Sequence, residues 1–273
     1  MFIRNISTAA ALVLMTGRLL AHHGQNFIWL EDAMLPHRAN GVFLSDYEWQ
    51  RRDSDDSQSY NLATMWGLAD GVAASLFATA GDEMAATEWQ SMQPTLHFAR
   101  ELNNAIHVGV SLGYQFALSD VEHQHTHVDA GCDPDIDLGP DAPPCVPGAV
   151  HSHGHSHTHS VIHNHGINAA VSRWIVRAQL SKNIVFVGNL IAVKPEGDDL
   201  GFGYALGVRQ QVTGSLNLGL ESIGDIESGG ERAVMAAAYW EPVDLLICKF
   251  GIGTGLNSRS ADLIVRTGLV WNF

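Results

Sequence analysis

Most of the histidines in this sequence fall in one stretch, residues 119–166, where they alternate with other residues. Imidazole is a good ligand for zinc, copper and nickel, and an H-x-H repeat in an extended chain puts successive rings on the same side. Histidine tracts of this kind most often bind metal. We therefore predict a site for a divalent transition metal (Zn, Cu or Ni), with these ligands: His123, His125, His127, His151, His153, His155, His157, His159, His163 and His165.

Binding at such a site is expected to be labile. Neutral imidazole is the ligand, so protonation near pH ~6.5 competes with the metal. A closed structural site would use fewer ligands at better defined positions. The tract therefore suits capture and release of an ion, and the choice among the three metals stays open because imidazole serves all of them.

The histidine stretch has a composition that excludes a core of its own. It contains five of the nine prolines and several aspartates, with few apolar residues, and this predicts a loop. Cys132 and Cys145 both lie in it, and their spacing leaves a disulfide between them open. The alternative is a polar loop that only keeps this side of the molecule solvated.

Around the loop, apolar and polar residues alternate with a period of two. Between 104 and 118, for example, Val110 and Leu112 alternate with Ser111 and Gln115. A strand with one apolar and one wet face has this pattern. The alternation predicts twelve strands, at 40–51, 57–69, 71–80, 92–102, 104–118, 167–180, 183–194, 200–211, 214–223, 231–240, 243–255 and 261–273.

The last of these strands resembles a known family. Its apolar face ends on the C-terminal Phe273, two residues after Trp271, and its other face carries Arg266 and Asn272. It is similar to the closing strand of Gram-negative outer-membrane β-barrels, which ends in Phe with apolar residues at alternate positions upstream. The resemblance implies an all-β fold, a transmembrane antiparallel up-and-down β-barrel in the outer membrane. The alternative is an edge strand of a soluble sandwich.

The predicted connections alternate in length, which supports the barrel. Turn-forming pairs such as Asp70-Gly71 follow the even-numbered strands. Short turns at one end and long extracellular loops at the other are typical of outer-membrane barrels, whereas a sandwich has no need of them. The predicted long connections are 52–56, 81–91, 119–166, 195–199, 224–230 and 257–260.

The N-terminal residues predict export. Residues 1–21 carry Arg4 and then an apolar run, as a signal peptide does, and no later segment has the roughly 18 apolar residues of a membrane-spanning helix. We expect 22–38 to form a periplasmic or lumenal segment, either a short helix stopped by Pro36 or an irregular leader. Residues 39–273 then form the barrel, with 119–166 its histidine-rich extracellular loop.

The net charge of the sequence limits the classes of binding partner. The formal charge of −14 argues against nucleic acid, because phosphate binding relies on clustered Lys and Arg, and it is compatible with cations. The expected partners are the lipid bilayer and metal ions, and no protein partner is indicated. The inner faces of the strands predict a lumen that is packed with paired charges or lined as a polar path: Asp46, Glu48, Asn61, His107, Arg173, Arg177, Asn189, Arg209, Glu221, Lys249 and Arg266.

These observations predict an outer-membrane channel or receptor that concentrates divalent metal at the cell surface and passes it through a narrow lumen; import and export are both compatible with the sequence. One alternative is a barrel hydrolase acting on lipids, which needs a nucleophile beside a base. His107 with Ser111 is a weak pair, and His97 has no evident serine partner, so we predict no enzyme. The other alternative is a structural or adhesive barrel.

Overall fold

Twelve long strands form one closed antiparallel sheet in the computed structural model, which describes residues 27, 30–53, 55–83, 86–118, 127–128, 150–151, 167–227 and 229–273. The predicted twelve-stranded barrel is confirmed. The strands are β1 (Gly41–Arg52), β2 (Asp55–Ala69), β3 (Val72–Glu83), β4 (Ala86–Asn103), β5 (Ile106–Ala117), β6 (His127–Val128), β7 (Val150–His151), β8 (Ala169–Ser181), β9 (Ile184–Pro195), β10 (Gly201–Gln211), β11 (Leu216–Asp225), β12 (Arg232–Val243), β13 (Leu246–Gly255) and β14 (Leu263–Asn272).

The barrel has a simple up-and-down order. Each long strand pairs with its neighbour in sequence, β5 pairs with β8 across the insertion, and β1 closes the barrel on β14. Gly41 N donates to Phe273 O at 2.7 Å, so both ends of the barrel sequence meet at one rim. That rim, with the connections 70–71, 104–105, 182–183, 212–215 and 244–245, is called the turn end here; the opposite rim, which carries the insertion after Ala117, is the loop end.

Two of the predicted long connections are wrong. Arg52 pairs with Asp55, and β3 continues to Glu83, which pairs with Ala86 at the start of β4. The described residues of the segments 52–56 and 81–91 are therefore mostly paired strand. Paired strands can have an acidic, polar composition without apolar alternation once a hairpin has left the apolar band of the barrel.

The outer face is apolar, as the alternation predicts. In β5, Ile106, Leu112 and Phe116 are exposed, whereas Ser111 and Gln115 face inward and are buried. Exposed aromatic side chains also gather at the turn end, where the rings of Trp271 and Phe273 lie 5.7 Å apart. Apolar side chains turned outward with aromatic residues near a rim are the pattern of a barrel surrounded by lipid.

The inner face is less polar than a water-filled pore requires. Buried aliphatic side chains, among them Val187, Ile191 and Val270, point into the barrel and form one cluster with Phe27 and Leu30 of the N-terminal segment. A twelve-stranded barrel encloses more space than an eight-stranded one, whose own side chains fill it. Here the N-terminal segment supplies additional side chains.

Residues 120–159 form a unit of their own. Its described part is the ladder of β6 and β7, in which His127 pairs with His151 and Val128 with Val150.

Candidate functional site: a plugged lumen

The N-terminal segment lies inside the barrel. Phe27, Leu30, Asp32 and Ala33 are almost completely buried, and residues 30–36 are irregular, without a helix in this described part. Of the two forms expected for residues 22–38, the helix is therefore wrong for residues 30–36, and the irregular, lumenal form is observed there. We call Phe27 and residues 30–38 the plug.

Side chains of the wall take the place of the missing helical hydrogen bonds. Glu31 N donates to Asn189 Oδ1 at 2.9 Å, and Asn189 Nδ2 donates back to Glu31 O at 2.9 Å. Lys249 Nζ donates to Phe27 O at 2.6 Å. Buried backbone N–H and C=O groups need hydrogen-bond partners. Three such groups of the plug bind side chains of β9 and β13. The plug is therefore bound by the wall through its main chain as well as its side chains.

Two ion pairs join the plug to β8. Arg173 Nη1 lies 2.8 Å from Glu31 Oε1, and Arg177 Nη1 lies 2.6 Å from Asp32 Oδ2. The arginines are four residues apart in one strand, so both point inward, and they meet adjacent carboxylates of the plug. The two carboxylates anchor the plug at successive heights in the lumen.

The surroundings of Glu31 and Asp32 shift the pKa values of the two carboxyl groups in opposite directions. Burial raises the pKa of the Glu31 carboxyl, but the charge of Arg173 and the neighbouring His97 lower it by more, so that the pKa lies at about 2. Burial also raises the pKa of Asp32, and there the opposing effects of Arg177 and the Met34 amide leave it above its usual value. The Arg177 guanidinium thus offsets part of the effect of burial on the Asp32 carboxyl.

The tip of the plug is held by aromatic contacts. The rings of Phe27 and Tyr239 meet edge to face at 6.1 Å, and the Arg209 guanidinium lies 5.7 Å from the Phe27 ring and 5.8 Å from that of Tyr239. Tyr239 in turn donates a hydrogen bond to the buried Glu221. A cation over aromatic faces is attractive, more so away from water.

Two glycines of the wall make room for the plug. A Cβ at Gly67 would overlap the carbonyl oxygens of Pro36 and His37, and one at Gly207 would lie 2.9 Å from the Phe27 ring. Neither glycine has a positive φ that would require it for the backbone. Their small size serves the close approach of the plug.

Beyond the plug the lumen opens into a cavity of about 200 Å³. Phe27, Leu30 and Glu31 form its floor, and the loop-end halves of the strands form most of its wall. One side is rich in hydroxyl and amide groups from β2 to β5: Ser59, Asn61, Ser75, Thr79, Ser91, Gln93, Thr95 and Gln115. The other side is mainly aliphatic: Val171, Ile191, Val193 and Ile223.

The charged residues of the cavity are paired. Arg266 lies 3.2 Å from Glu48 and 3.4 Å from Asp46, and Lys249 binds the plug backbone. The cavity therefore carries no large net charge of one sign from these groups, and its recognition surface is mainly neutral and polar on one side and apolar on the other.

A serine, a histidine and a carboxylate meet at the cavity floor. Ser75 Oγ lies 2.8 Å from His97 Nε2, and His97 Nδ1 lies 3.6 Å from Glu31 Oε2. The expectation that His97 lacks a serine partner is wrong. The period of two in the predicted strand 71–80 puts Ser75 on the inner face, and this was the signal available in the sequence; the contribution of Glu31 depends on the position of the plug.

The structure places the predicted lumen residues as expected. Asp46, Glu48, Asn61, Asn189, Glu221 and Lys249 are buried inside the barrel, and the four arginines of the predicted set contact the plug or these acids. His107 does not join Ser111; its Nε2 lies 3.9 Å from Glu101 Oε2. Ser111 instead pairs in register with His97.

The predicted metal ligands are described only in part. His127 and His151 lie in the β6–β7 ladder, and the other eight lie outside the described residues, as does the predicted signal peptide. Cys132 and Cys145 lie outside them too, while Cys248 is a free thiol in β13. The metal site remains a prediction.

Comparison with known proteins gives the fold. No family model and no curated protein matches this sequence. Among solved structures, the KdgM porin is similar with a TM-score of 0.55 at 9% identity, over 84% of this chain and 99% of that one. The NanC porin has a TM-score of 0.52 at 9% identity, over 85% of this chain and 98% of that one. The chain thus has the fold of the barrel porins in the outer membrane of Gram-negative bacteria.

Proposed function

We propose that this protein is a gated outer-membrane channel for divalent transition-metal ions (Zn, Cu or Ni). In this proposal the histidine-rich loop captures the ion outside the cell, and the plug closes the lumen until it is displaced. The metal is the cargo of the channel.

The plug is the observation that carries the gating part of the proposal. It is held by two ion pairs, by hydrogen bonds from Asn189 and Lys249, and by the ring of Phe27. A lumen filled in this way resists the passage of ions, because an ion can pass only after these contacts are broken and replaced by contacts with water. The cavity on the other side of the plug is bounded mainly by the loop-end halves of the strands, the side from which an extracellular solute would arrive.

Capture of metal is supported by the composition and attachment of the insertion. The insertion leaves the barrel after β5 and returns to it before β8, at the loop end. In the ladder of its described part, His127 and His151 are paired in register. In its described part, two histidine-bearing segments of the insertion therefore run side by side.

The gate is tested by locking the plug. A Cβ built on Gly109 lies 3.7 Å from Ala33 Cβ, within the range of a disulfide. In a background with all three native cysteines changed to Ser, A33C/G109C should join the plug to β5. We expect no single-channel current in planar bilayers while it is oxidised, brief openings after reduction, and steady conductance when residues 22–38 are deleted.

The matched control is the cysteine-free protein without the new pair, whose current should not respond to oxidant. Steady conductance through the oxidised pair would refute closure by the plug. A deletion variant that folds but never conducts would refute the channel.

Metal binding is tested separately by calorimetry with Zn²⁺. Changing the seven histidines from His151 to His165 to Asn should remove most of the bound zinc, while the control variant His107→Asn, in the wall of the barrel, should keep it. Unchanged stoichiometry in the first variant would assign the metal to other residues. The conductance result does not depend on this outcome, so the two parts of the proposal can fail independently.

A further inference from the structure

We propose that Ser75, His97 and Glu31 form a hydrolytic site that cleaves small esters in the lumenal cavity. This activity goes beyond the proposed channel and does not require it. The three residues come from β3, β4 and the plug, and they meet at the floor of a cavity whose wall is formed mostly by the loop-end halves of the strands.

The order of contacts is that of a serine hydrolase. A nucleophilic serine needs a base within hydrogen-bond distance, and the base needs a third group that orients it. Ser75 Oγ lies 2.8 Å from His97 Nε2, and the opposite ring nitrogen, Nδ1, faces Glu31 Oε2 at 3.6 Å. Distances of this size are common in hydrolases without substrate and shorten when it binds.

A second observation supports the orienting role of the Glu31 carboxylate. Glu31 Oε1 is taken by Arg173 at 2.8 Å, while the buried Oε2 has no hydrogen-bond partner. The oxygen without a partner is the one that faces His97. Arg173 therefore fixes the carboxylate and leaves its second oxygen for the imidazole, as an orienting group requires.

Burial favours the same role. His97 is 3% exposed, and Ser75, at 9%, still lines the cavity. Because bulk water is largely excluded there, it does not compete with the His97 imidazole for the Ser75 proton. Gln93 and Arg173 line the same cavity and carry N–H groups beyond those bound to Thr95 and Glu31; such groups can stabilise an oxyanion.

The reaction then balances as follows. Ser75 Oγ bonds to the ester carbonyl carbon while its proton passes to His97 Nε2. The ester C–O bond breaks, and the departing alkoxide takes that proton, leaving acyl-Ser75. A water molecule attacks the acyl carbon, gives its proton to His97, and the C–O bond to Ser75 breaks as that oxygen regains the proton; acid and alcohol are released.

The cavity indicates the class of substrate. Its volume of about 200 Å³ admits a short acyl group, which the aliphatic side near Val171 and Ile191 can cover, while the alcohol part faces the hydroxyl and amide side. The paired charges favour an uncharged ester. Para-nitrophenyl acetate and a small alkyl fluorophosphonate are suitable probes.

The test uses the folded full-length barrel in detergent. We expect the fluorophosphonate to label Ser75, located by peptide mass spectrometry, and para-nitrophenyl acetate to be hydrolysed. His97→Gln should slow both by about 100-fold or more, the usual contribution of a general base. Ser75→Ala should abolish both, and Ser172→Ala, on the outer face of β8 and outside the cavity, should change neither.

Glu31 is a positioning residue in this site. Glu31→Gln should lower kcat with little change in KM, because it acts through His97 rather than on the substrate. Absence of label on Ser75 in the folded wild-type protein would overturn the proposal without need of any variant. Labelling that is equally fast in His97→Gln would overturn it as well, since the serine would then react without its base.

Discussion

The two halves of the lumen share one wall but differ in what fills them. At the turn end, the plug occupies the interior, and its acids and backbone are matched by Arg173, Arg177, Asn189 and Lys249. At the loop end, the same strands enclose a cavity with a polar and an aliphatic side. The comparison teaches that twelve strands enclose more space than their own side chains fill, so closure has to come from elsewhere in the chain.

The two halves should also differ in how strongly a substitution affects the protein. In the plugged half, the polar groups have fixed partners away from water, so the loss of one partner leaves a buried polar group poorly compensated. In the open half, water can replace a lost partner. Substitutions should therefore have larger effects at the turn end, and the gradient between the halves can be measured.

The largest effect is expected for Arg177→Ala. It leaves the fully buried Asp32 without its ion pair, and breaking a buried pair costs about 3–5 kcal/mol. We expect the plug to be released and its residues to be cut rapidly by added protease while the barrel stays folded. Arg51→Ala, which removes the exposed pair with Asp56 on β1 and β2, is the control and should not change cleavage. Equal protection of both variants would contradict the role given to Arg177.

A smaller effect is expected for Gly67→Ala. The new Cβ would overlap the carbonyl oxygens of Pro36 and His37, and overpacking of this kind costs about 1–3 kcal/mol. The plug should open more often, seen as more frequent current steps in planar bilayers. At Gly214, in the turn before β11, a Cβ meets nothing within 4 Å, so Gly214→Ala should behave as wild type. Equal opening frequencies for the two variants would show that the plug does not pass Gly67 closely.

The smallest effect is expected for Thr79→Val in the open half. It removes the 2.9 Å hydrogen bond from Thr79 Oγ1 to Asn61 Oδ1, a loss of about 1 kcal/mol in the free energy of unfolding. Denaturation in urea measures it, with Thr64→Val on the outer face of β2 as control. Protease cleavage of the plug should not change. A loss as large as that of Arg177→Ala would remove the contrast between the halves.

Much of the barrel could be predicted from the sequence because alternation is a local property. A side chain in a strand faces inward or outward by its parity, so the twelve strands and the inward positions of Arg173, Glu221 and Lys249 follow from the pattern alone. The alternation pattern failed at 81–91. A strand with polar residues on both faces shows no alternation, although it is still paired.

The candidate site was harder to predict because its members are distant in sequence. Glu31 meets Arg173 across 142 residues, and the sequence contains no pattern that joins them. Ser75 and His97 could each be assigned to the inner face, but their contact requires the registers of β3 and β4, which are fixed by hydrogen bonds between strands.

The sequence by itself determined an apolar outside, the inward positions of the charged residues and a histidine-rich insertion, since each follows from the order or type of neighbouring residues. Only the tertiary structure decided that the N-terminal segment enters the lumen and that a carboxylate of this segment faces His97. The physical reason is that closure of the sheet creates the interior, and before closure there is no enclosed space for the segment to fill.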